Sequence, residues 1–525
     1  MVLGMPPEDV LPVLLSRRAA ENPEAALIVE VGGRTYSRSQ VLTESLSYAR
    51  IFQDLGVRAG DAVLTMLPSR ASSYAAWIGV SWLRAAEVGI NLSYLREMLK
   101  YIINHSQASV AVIDAPVVPR WLEVIDDCPQ LETVLVAGEM PSTLDYAGRV
   151  SFVALNDVLA QAEPLTDLAE PKPWDSSAII YTSGTTGPSK GVIVPWAQLH
   201  VTAKTVMPGT FDERDCYYTT FPFAHLSSRS PLYQMLLAGG RIATREPFSP
   251  SNFWSDVREN NCTISGLLFS MARFLMNQPE RPDDDDNPLR KVVMVPLLPD
   301  VDLFKQRFGV KVSTLFTMTE TSNPLVSGWD SDPASCGRPR EGVDVRVVDE
   351  HDVEVPVGEI GELIVRTDEP WTMNAGYRFM PEATADAWRN GWFHTGDAFR
   401  RNEDGDHFFV DRIKDTIRRR GENISSMQLE NIVALHPDVA ECAAIGVASE
   451  AGEEEVRLFV VPVEGASIEM QALHKWMTEN LPRFMRPRFM DAVSSLPKTP
   501  TAKIRKAELR GVVLDTSTWD ARRDS

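Results

Sequence analysis

Apolar residues between Val41 and Phe52 recur with helical spacing. Val41, Leu42, Leu46, Ala49 and Phe52 fall on one side of a helix. Ser37 stands where an N-cap hydroxyl can take a backbone N–H, and Gly56 follows the last apolar position. The pattern therefore predicts a helix over 37–55. The apolar run 62–67 reads as a buried strand, 73–85 as a second helix and 109–114 as another strand. Strands separated by helices indicate α/β layers built on parallel sheet.

From about 337 to 411 the texture changes. Short strands such as 343–348 and 362–365 are interrupted by Gly, Pro and Asp, which suits antiparallel or barrel-like β structure. After Asp411 a smaller α/β pattern begins, with helices over 427–436 and 469–480 and strands over 441–447 and 458–463. The main boundary is expected at 411–414, giving domains 1–411 and 412–525.

A chain of 525 residues exceeds one ordinary core, and 44% apolar with 24% charged residues is the balance of a folded soluble protein. The net charge of −20 repels phosphate backbones, so nucleic acid is not an expected partner. No apolar run approaches a membrane span, and the first residues lack the basic and apolar regions of a secretory leader. Cys128, Cys216, Cys262, Cys336 and Cys442 have no CxxC spacing, which points to reduced thiols in a cytosol. The run 283–286 is four consecutive aspartates and reads as a solvated acidic loop.

The strongest local chemistry is Tyr181-Thr-Ser-Gly-Thr-Thr-Gly-Pro-Ser-Lys-Gly191. An apolar strand, 178–181, runs into it. Gly184, Gly187 and Gly191 allow sharp turns that bring N–H groups close to an anion. Thr182, Ser183, Thr185 and Thr186 contribute hydroxyls and Lys190 a positive charge, the parts of a triphosphate cradle. The spacing is not that of a Walker A loop.

The order Ser-Gly-Thr-Thr-Gly-x-x-Lys-Gly resembles the phosphate-loop signature of the adenylate-forming superfamily, which includes acyl-CoA synthetases, peptide-synthetase adenylation domains and luciferases. Further stretches resemble that family in the same order. Phe316-Thr-Met-Thr-Glu320 follows an expected strand, 312–316. The resemblance implies that Phe316 stacks on adenine, Thr319 meets the α-phosphate and Glu320 ligates Mg²⁺, a hard cation suited to oxygen ligands. Gly391-Trp-Phe-His-Thr-Gly-Asp397 implies that Asp397 accepts hydrogen bonds from the ribose hydroxyls. Asp411-Arg-Ile-Lys-Asp-Thr-Ile-Arg-Arg-Arg-Gly-Glu-Asn423 resembles the interdomain hinge, with Arg412 on ribose or phosphate and Lys414 as the pivot. Leu496-Pro-Lys-Thr-Pro-Thr-Ala-Lys-Ile-Arg505 resembles the motif that carries the catalytic lysine, here Lys503, although Ala502 stands where the family has Gly. His225, in Phe221-Pro-Phe-Ala-His225, matches the aromatic/His gate of the acyl pocket.

Ile90-Asn-Leu-Ser-Tyr-Leu-Arg-Glu97, Phe248-Ser-Pro-Ser-Asn-Phe-Trp254 and Arg419-Arg-Gly-Glu-Asn-Ile-Ser425 are similar to the crotonobetaine/carnitine-CoA ligase branch. Two departures are expected to lie at the substrate: Thr317 replaces a motif Gly, and Val295-Pro-Leu-Leu-Pro299 replaces the usual adenine segment. The resemblance implies a large N-terminal domain of two α/β sheets with a β-barrel subdomain, and a small mobile C-terminal α/β domain. It implies ATP and Mg²⁺ as cofactors, with a small carboxylic acid as substrate and CoA as co-substrate. Arg418, Arg419 and Arg420 would then be placed to meet CoA phosphates. A second reading rests on the same resemblance: ligase-like members of natural-product pathways activate nitrite, which an aryl amine then captures, and a pocket narrowed by Thr317 suits so small an oxyanion. A catalytically silent scaffold is disfavoured, because Lys503, Glu320, Asp397 and the loop are all present.

Overall fold

The computed structural model describes residues 4–142, 144, 146–182, 189–329, 332–413, 415–419, 422–448, 454–498, 503–515 and 517–523. The chain forms two compact units. One holds the chain up to Thr182 together with Ser189–Asp344 and Val365–Arg389, and the other holds Val345–Ile364 and the chain from Asn390 onward.

The first unit contains two seven-stranded sheets. One runs in the order Ser151–Ala154, Thr133–Ala137, Val110–Asp114, Ala62–Met66, Ala86–Gly89, Ser176–Thr182, Lys190–Pro195. The other runs Lys311–Ser313, Lys291–Val295, Ile264–Leu268, Cys216–Thr219, Arg241–Thr244, Ala26–Glu30, Thr35–Ser37. Each is parallel except for one antiparallel edge pair, as repeated strand–helix alternation requires. Helix Ala71–Trp82 packs against Ala86–Gly89 of one sheet and Ala26–Glu30 of the other. Every one of its residues but Ser72 is buried, which is why its sequence carries no charged face. Trp77 stacks on Trp196 at 5.4 Å and donates its indole N–H to Ser177 O at 2.8 Å.

The helix expected over 37–55 is Arg38–Asp54. Ser37 Oγ accepts from Gln40 N at 3.3 Å while Gln40 Oε1 accepts from Ser37 N at 2.9 Å, a reciprocal capping box. Leu42 and Leu46 are only half-buried, whereas Ser45 and Tyr48 take core-facing positions. The neighbouring helix sets this rotation: Trp82 Nε1 donates to Ser45 Oγ at 3.3 Å, a contact that a longer side chain would obstruct.

The single strand expected over 312–316 is two strands. Lys311–Ser313 completes a parallel sheet, and Leu315–Met318 starts a three-stranded sheet with Thr321–Val326 and Arg338–Pro339. Thr314 is the corner. Its N–H donates to Ser327 Oγ at 2.7 Å and its hydroxyl to Met294 O at 2.7 Å, so the break leaves neither group unsatisfied.

The β-rich stretch is a four-stranded sheet of Val343–Val348, Gly361–Thr367, Phe393–Arg401 and His407–Arg412. A second four-stranded sheet follows, Val439–Ala448, Glu454–Pro462, Phe489–Ala492 and Trp519–Asp520. Its core joins Leu429 and Val433 of helix Ser426–Val433 to Leu473 and Met477 of helix Met470–Asn480.

The acidic run is not wholly solvated. Asp284 is buried and its carboxylate meets Arg307 Nε at 2.7 Å, so one of the four aspartates is structural. Cys128, Cys216, Cys262 and Cys442 are buried thiols in no disulfide, and the Cys216 and Cys262 sulfurs lie 3.8 Å apart. Among the described residues no helix is long and apolar enough to cross a membrane.

Candidate active site

Ser176–Thr182 and Lys190–Pro195 are antiparallel neighbours, with Tyr181 opposite Gly191 and Thr182 opposite Lys190. The phosphate-loop sequence therefore links two hairpin strands rather than opening a helix. Ser183, Gly184, Thr185, Thr186 and Gly187 lie outside the described residues; Thr182 and Lys190 mark the two stems.

The Phe316–Glu320 motif is also a hairpin. Leu315–Met318 pairs with Thr321–Val326, Met318 stands opposite Thr321, and Thr319 and Glu320 form the two-residue turn. The ladder slips between Phe316 and Met318, so Thr317 is a bulge residue. A bulge re-aims its side chain, and Thr317 is exposed while Phe316 is 8% exposed. Thr317 is thus not a core-packing residue.

The turn is clamped from two sides. Gln198 Nε2, from helix Trp196–Thr205, donates to Thr319 O at 2.8 Å. Asn374 donates from N and Nδ2 to Glu320 O at 3.1 and 2.9 Å. Tyr377 Oη donates to Glu320 Oε1 at 3.2 Å, and Lys190 Nζ lies 4.6 Å from the centre of the Tyr377 ring. Burial, and then the Glu320 carboxylate beside it, push the Tyr377 hydroxyl far above its ordinary range, so it keeps its proton and acts as donor. Tyr377 thereby joins Lys190 to Glu320, residues 130 positions apart in the chain.

Gln198, Asn374 and Tyr377 were not legible as site residues. Gln198 is a fully buried amide on a helix that also buries the polar His200 and Thr202, so its residue type alone did not single it out. Asn374 and Tyr377 lie in an irregular stretch whose contacts with the turn cross more than fifty residues. No periodicity records such a contact.

His225 precedes helix Leu226–Ala238 and is half-buried, with its Nε2 3.4 Å from Asn91 Nδ2. Asn91 Oδ1 accepts from Ser93 N and Oγ at 3.0 and 2.7 Å, which fixes the amide orientation. The Phe221–His225 segment is held from below by a buried ion pair. Arg229 and Glu87 are both 0% exposed, with Nη1–Oε2 at 2.6 Å and Nη2–Oε1 at 2.9 Å. Arg229 Nε donates to Phe223 O at 3.1 Å. A Cβ at Gly89 would stand 2.6 Å from Arg229 Nη2 and 3.0 Å from Ala224 Cα, so the close approach of strand to loop requires glycine there.

In the second unit Asp397 is 5% exposed and pairs across strands with Arg412, whose Nε lies 3.8 Å from Asp397 Oδ1. Lys503 is exposed, next to an isolated bridge between Lys498 and Ile504. Lys414 and Arg420 lie outside the described residues. Arg419 is committed elsewhere: its guanidinium meets Glu455 Oε2 at 2.6 Å and donates to Phe484 O and Arg486 O at 2.9 and 2.7 Å. It is a structural arginine, and the expectation that it meets CoA phosphates is withdrawn.

The model of the AMP-binding enzyme family matches residues 15–377, and that of the AMP-binding enzyme C-terminal domain matches 428–503. A crotonobetaine/carnitine–CoA ligase of Citrobacter koseri is 31% identical over 491 residues, 91% of this chain and 93% of that protein. The anthranilate CoA ligase AuaEII in complex with anthranoyl-AMP superimposes with a TM-score of 0.85 at 24% identity, covering 97% of this chain and 98% of the other. ATP-bound MatB from Rhodopseudomonas palustris gives 0.83 at 24% identity, covering 95% and 98%. With the motifs, the two-sheet fold and these likenesses together, the chain belongs to the AMP-binding enzyme family and is an ATP-dependent adenylate-forming ligase.

Proposed function

We propose that this enzyme joins a small carboxylate to the α-phosphate of ATP, releases pyrophosphate, and passes the acyl group to the thiol of CoA. The observation that carries the reading is the clamped turn Thr319–Glu320, with Lys190 held beside it through Tyr377. A carboxylate on a fixed turn suits a hard divalent cation, so Glu320 is the residue to hold Mg²⁺. When bound, that ion offsets phosphate charge. Lys190 and Lys503 supply positive charge for the phosphate oxygens, and Asp397 and Arg412 supply the ribose contacts. The carboxylate substrate is itself the nucleophile, so no Ser/His relay is required. The motif at 411–423 supports a swing of the region 412–525 about Lys414 between the two half-reactions.

A second reading, AMP–nitrite formation with capture by an aryl amine, draws on Thr317. Its exposed, β-branched side chain occupies a bulge beside the turn, where a motif glycine would leave room. One experiment separates the two: mass spectrometry of products from ATP with CoA and a panel of acids, beside ATP with nitrite and an aryl amine. A thioester product supports the first reading. A diazo product without thioester replaces it with the second.

Thr317→Gly is expected to widen tolerance for bulky acids and weaken use of the native one. Each methylene-sized step in such a pocket shifts discrimination by about 1–3 kcal/mol. Relative kcat/KM over acids of graded size measures it; an unchanged ranking removes Thr317 from the pocket.

A further inference from the structure

We propose that Tyr101 and His105 are positioning residues that clasp both stems of the phosphate loop and set its grip on ATP. They stand four residues apart on helix Arg96–Ser106, hence on one face. Each reaches a different stem. Tyr101 Oη donates to Ser189 O at 2.9 Å, on the far side of the loop. His105 Nδ1 lies 2.8 Å from Tyr181 Oη, on the near side. The three rings pack as a unit. Tyr101 and His105 stack at 5.2 Å and 23°, and Tyr181 sets its edge against both, at 6.4 and 5.7 Å.

The stems themselves are built for this clasp. A Cβ at Gly191 would stand 3.1 Å from Tyr181 Cζ, so the absence of a side chain lets the Tyr181 ring lie across the opposite strand. Arg378 closes the cluster from outside. Its N–H donates to Gly191 O at 2.8 Å and its Nε to Ser106 O at 3.1 Å, tying the second stem to the end of the same helix. Burial, and then Tyr101, raise the Tyr181 hydroxyl, while burial, and then Arg378, lower His105. A protonated phenol facing a neutral imidazole is the pairing in which Tyr181 donates to Nδ1.

A binding segment whose two ends are already held loses less chain entropy when it takes up a ligand. Helix Arg96–Ser106 supplies that hold at both stems through Tyr101 and His105. The inference rests on the reading of Ser183–Gly187 as the phosphate site, and neither Tyr101 nor His105 belongs to any of the motifs that suggested that reading.

The test uses the full-length enzyme with Tyr101→Phe, His105→Phe and His105→Asn. The first two keep a ring and lose one polar link. The third can restore an acceptor at the Nδ1 position. ATP binding is measured by titration calorimetry, and acid-dependent ATP–pyrophosphate exchange gives KM for ATP and for the acid separately. Loss of one such link is expected to weaken ATP binding and raise its KM roughly five- to tenfold, with the KM for acid unchanged. His105→Asn should recover most of the loss. Unchanged ATP binding in both phenylalanine variants overturns the clasp. Equal changes in both KM values, or His105→Asn as impaired as His105→Phe, reduce the cluster to ring packing and overturn it too. A wild-type enzyme with no acid-dependent exchange removes the carboxylate reading itself, a separate outcome.

Discussion

Lys503→Ala is expected to lose adenylate formation and to keep the capture of a supplied acyl-AMP by the second nucleophile. In the proposed reaction negative charge gathers on the phosphate oxygens only as the first nucleophile attacks, so a lysine that meets them would matter in that transition state and not in the later attack by the second nucleophile. Removing one preorganised charge of this kind costs about 10²- to 10³-fold in kcat. The side chain is exposed, and urea unfolding of the variant beside wild type separates a chemical defect from a loss of stability. The check is acid-dependent ATP–pyrophosphate exchange beside thioester formation from synthetic acyl-AMP. An equal loss in both half-reactions, or exchange at the wild-type rate, takes Lys503 out of this role.

Glu87→Gln is expected to destabilise the first unit by about 3–5 kcal/mol, because it leaves the Arg229 charge buried without its counter-charge. Both partners are 0% exposed, and the pair joins strand Ala86–Gly89 of one sheet to helix Leu226–Ala238 over the other. Thr65 Oγ1 also donates to Glu87 Oε1, so the carboxylate is held by hydrogen bonds as well as by charge. Arg229 lies 5.3 Å from the centre of the Trp77 ring and 4.7 Å from that of Phe223, leaving it no route to solvent. Urea unfolding followed by tryptophan fluorescence measures the change. The double variant Glu87→Gln with Arg229→Met should recover part of it, since removing both charges is far cheaper than stranding one. A single-variant cost below about 1 kcal/mol would mean that water reaches the pair. A functional sign accompanies the stability loss. Arg229 anchors Phe223 O two residues before His225, so use of the acid should weaken more than use of ATP.

Much was legible along the chain because it is local. The Ser37 hydroxyl announces a helix start, and the structure completes it as a capping box with Gln40. Glycines, hydroxyls and a lysine in a short run suggest a phosphate loop without any tertiary knowledge, although residues 183–188 lie outside the described residues. The order of the motifs states the family, since each is a contiguous string. The same locality explains the errors. A strand over 312–316 is a fair reading of five residues, but Thr314 turns because Ser327 and Met294 offer partners from elsewhere. Arg419 looks like a free cation in a basic run until Glu455 is brought beside it. Asp284 looks solvated beside three other aspartates until Arg307 reaches it.

Residue order alone thus carried the family, the identity of the chemical groups and most of the elements, because capping, periodicity and short motifs are interactions between near neighbours. Folding supplied the rest. It placed an exposed Thr317 on a bulge, and it set Tyr377 between Lys190 and Glu320. It gave Glu87 its Arg229 and gave the loop stems their Tyr101 and His105. All of these are pairings across long separations in sequence. Their energies depend on burial and distance, which exist only once the sheets and helices have packed.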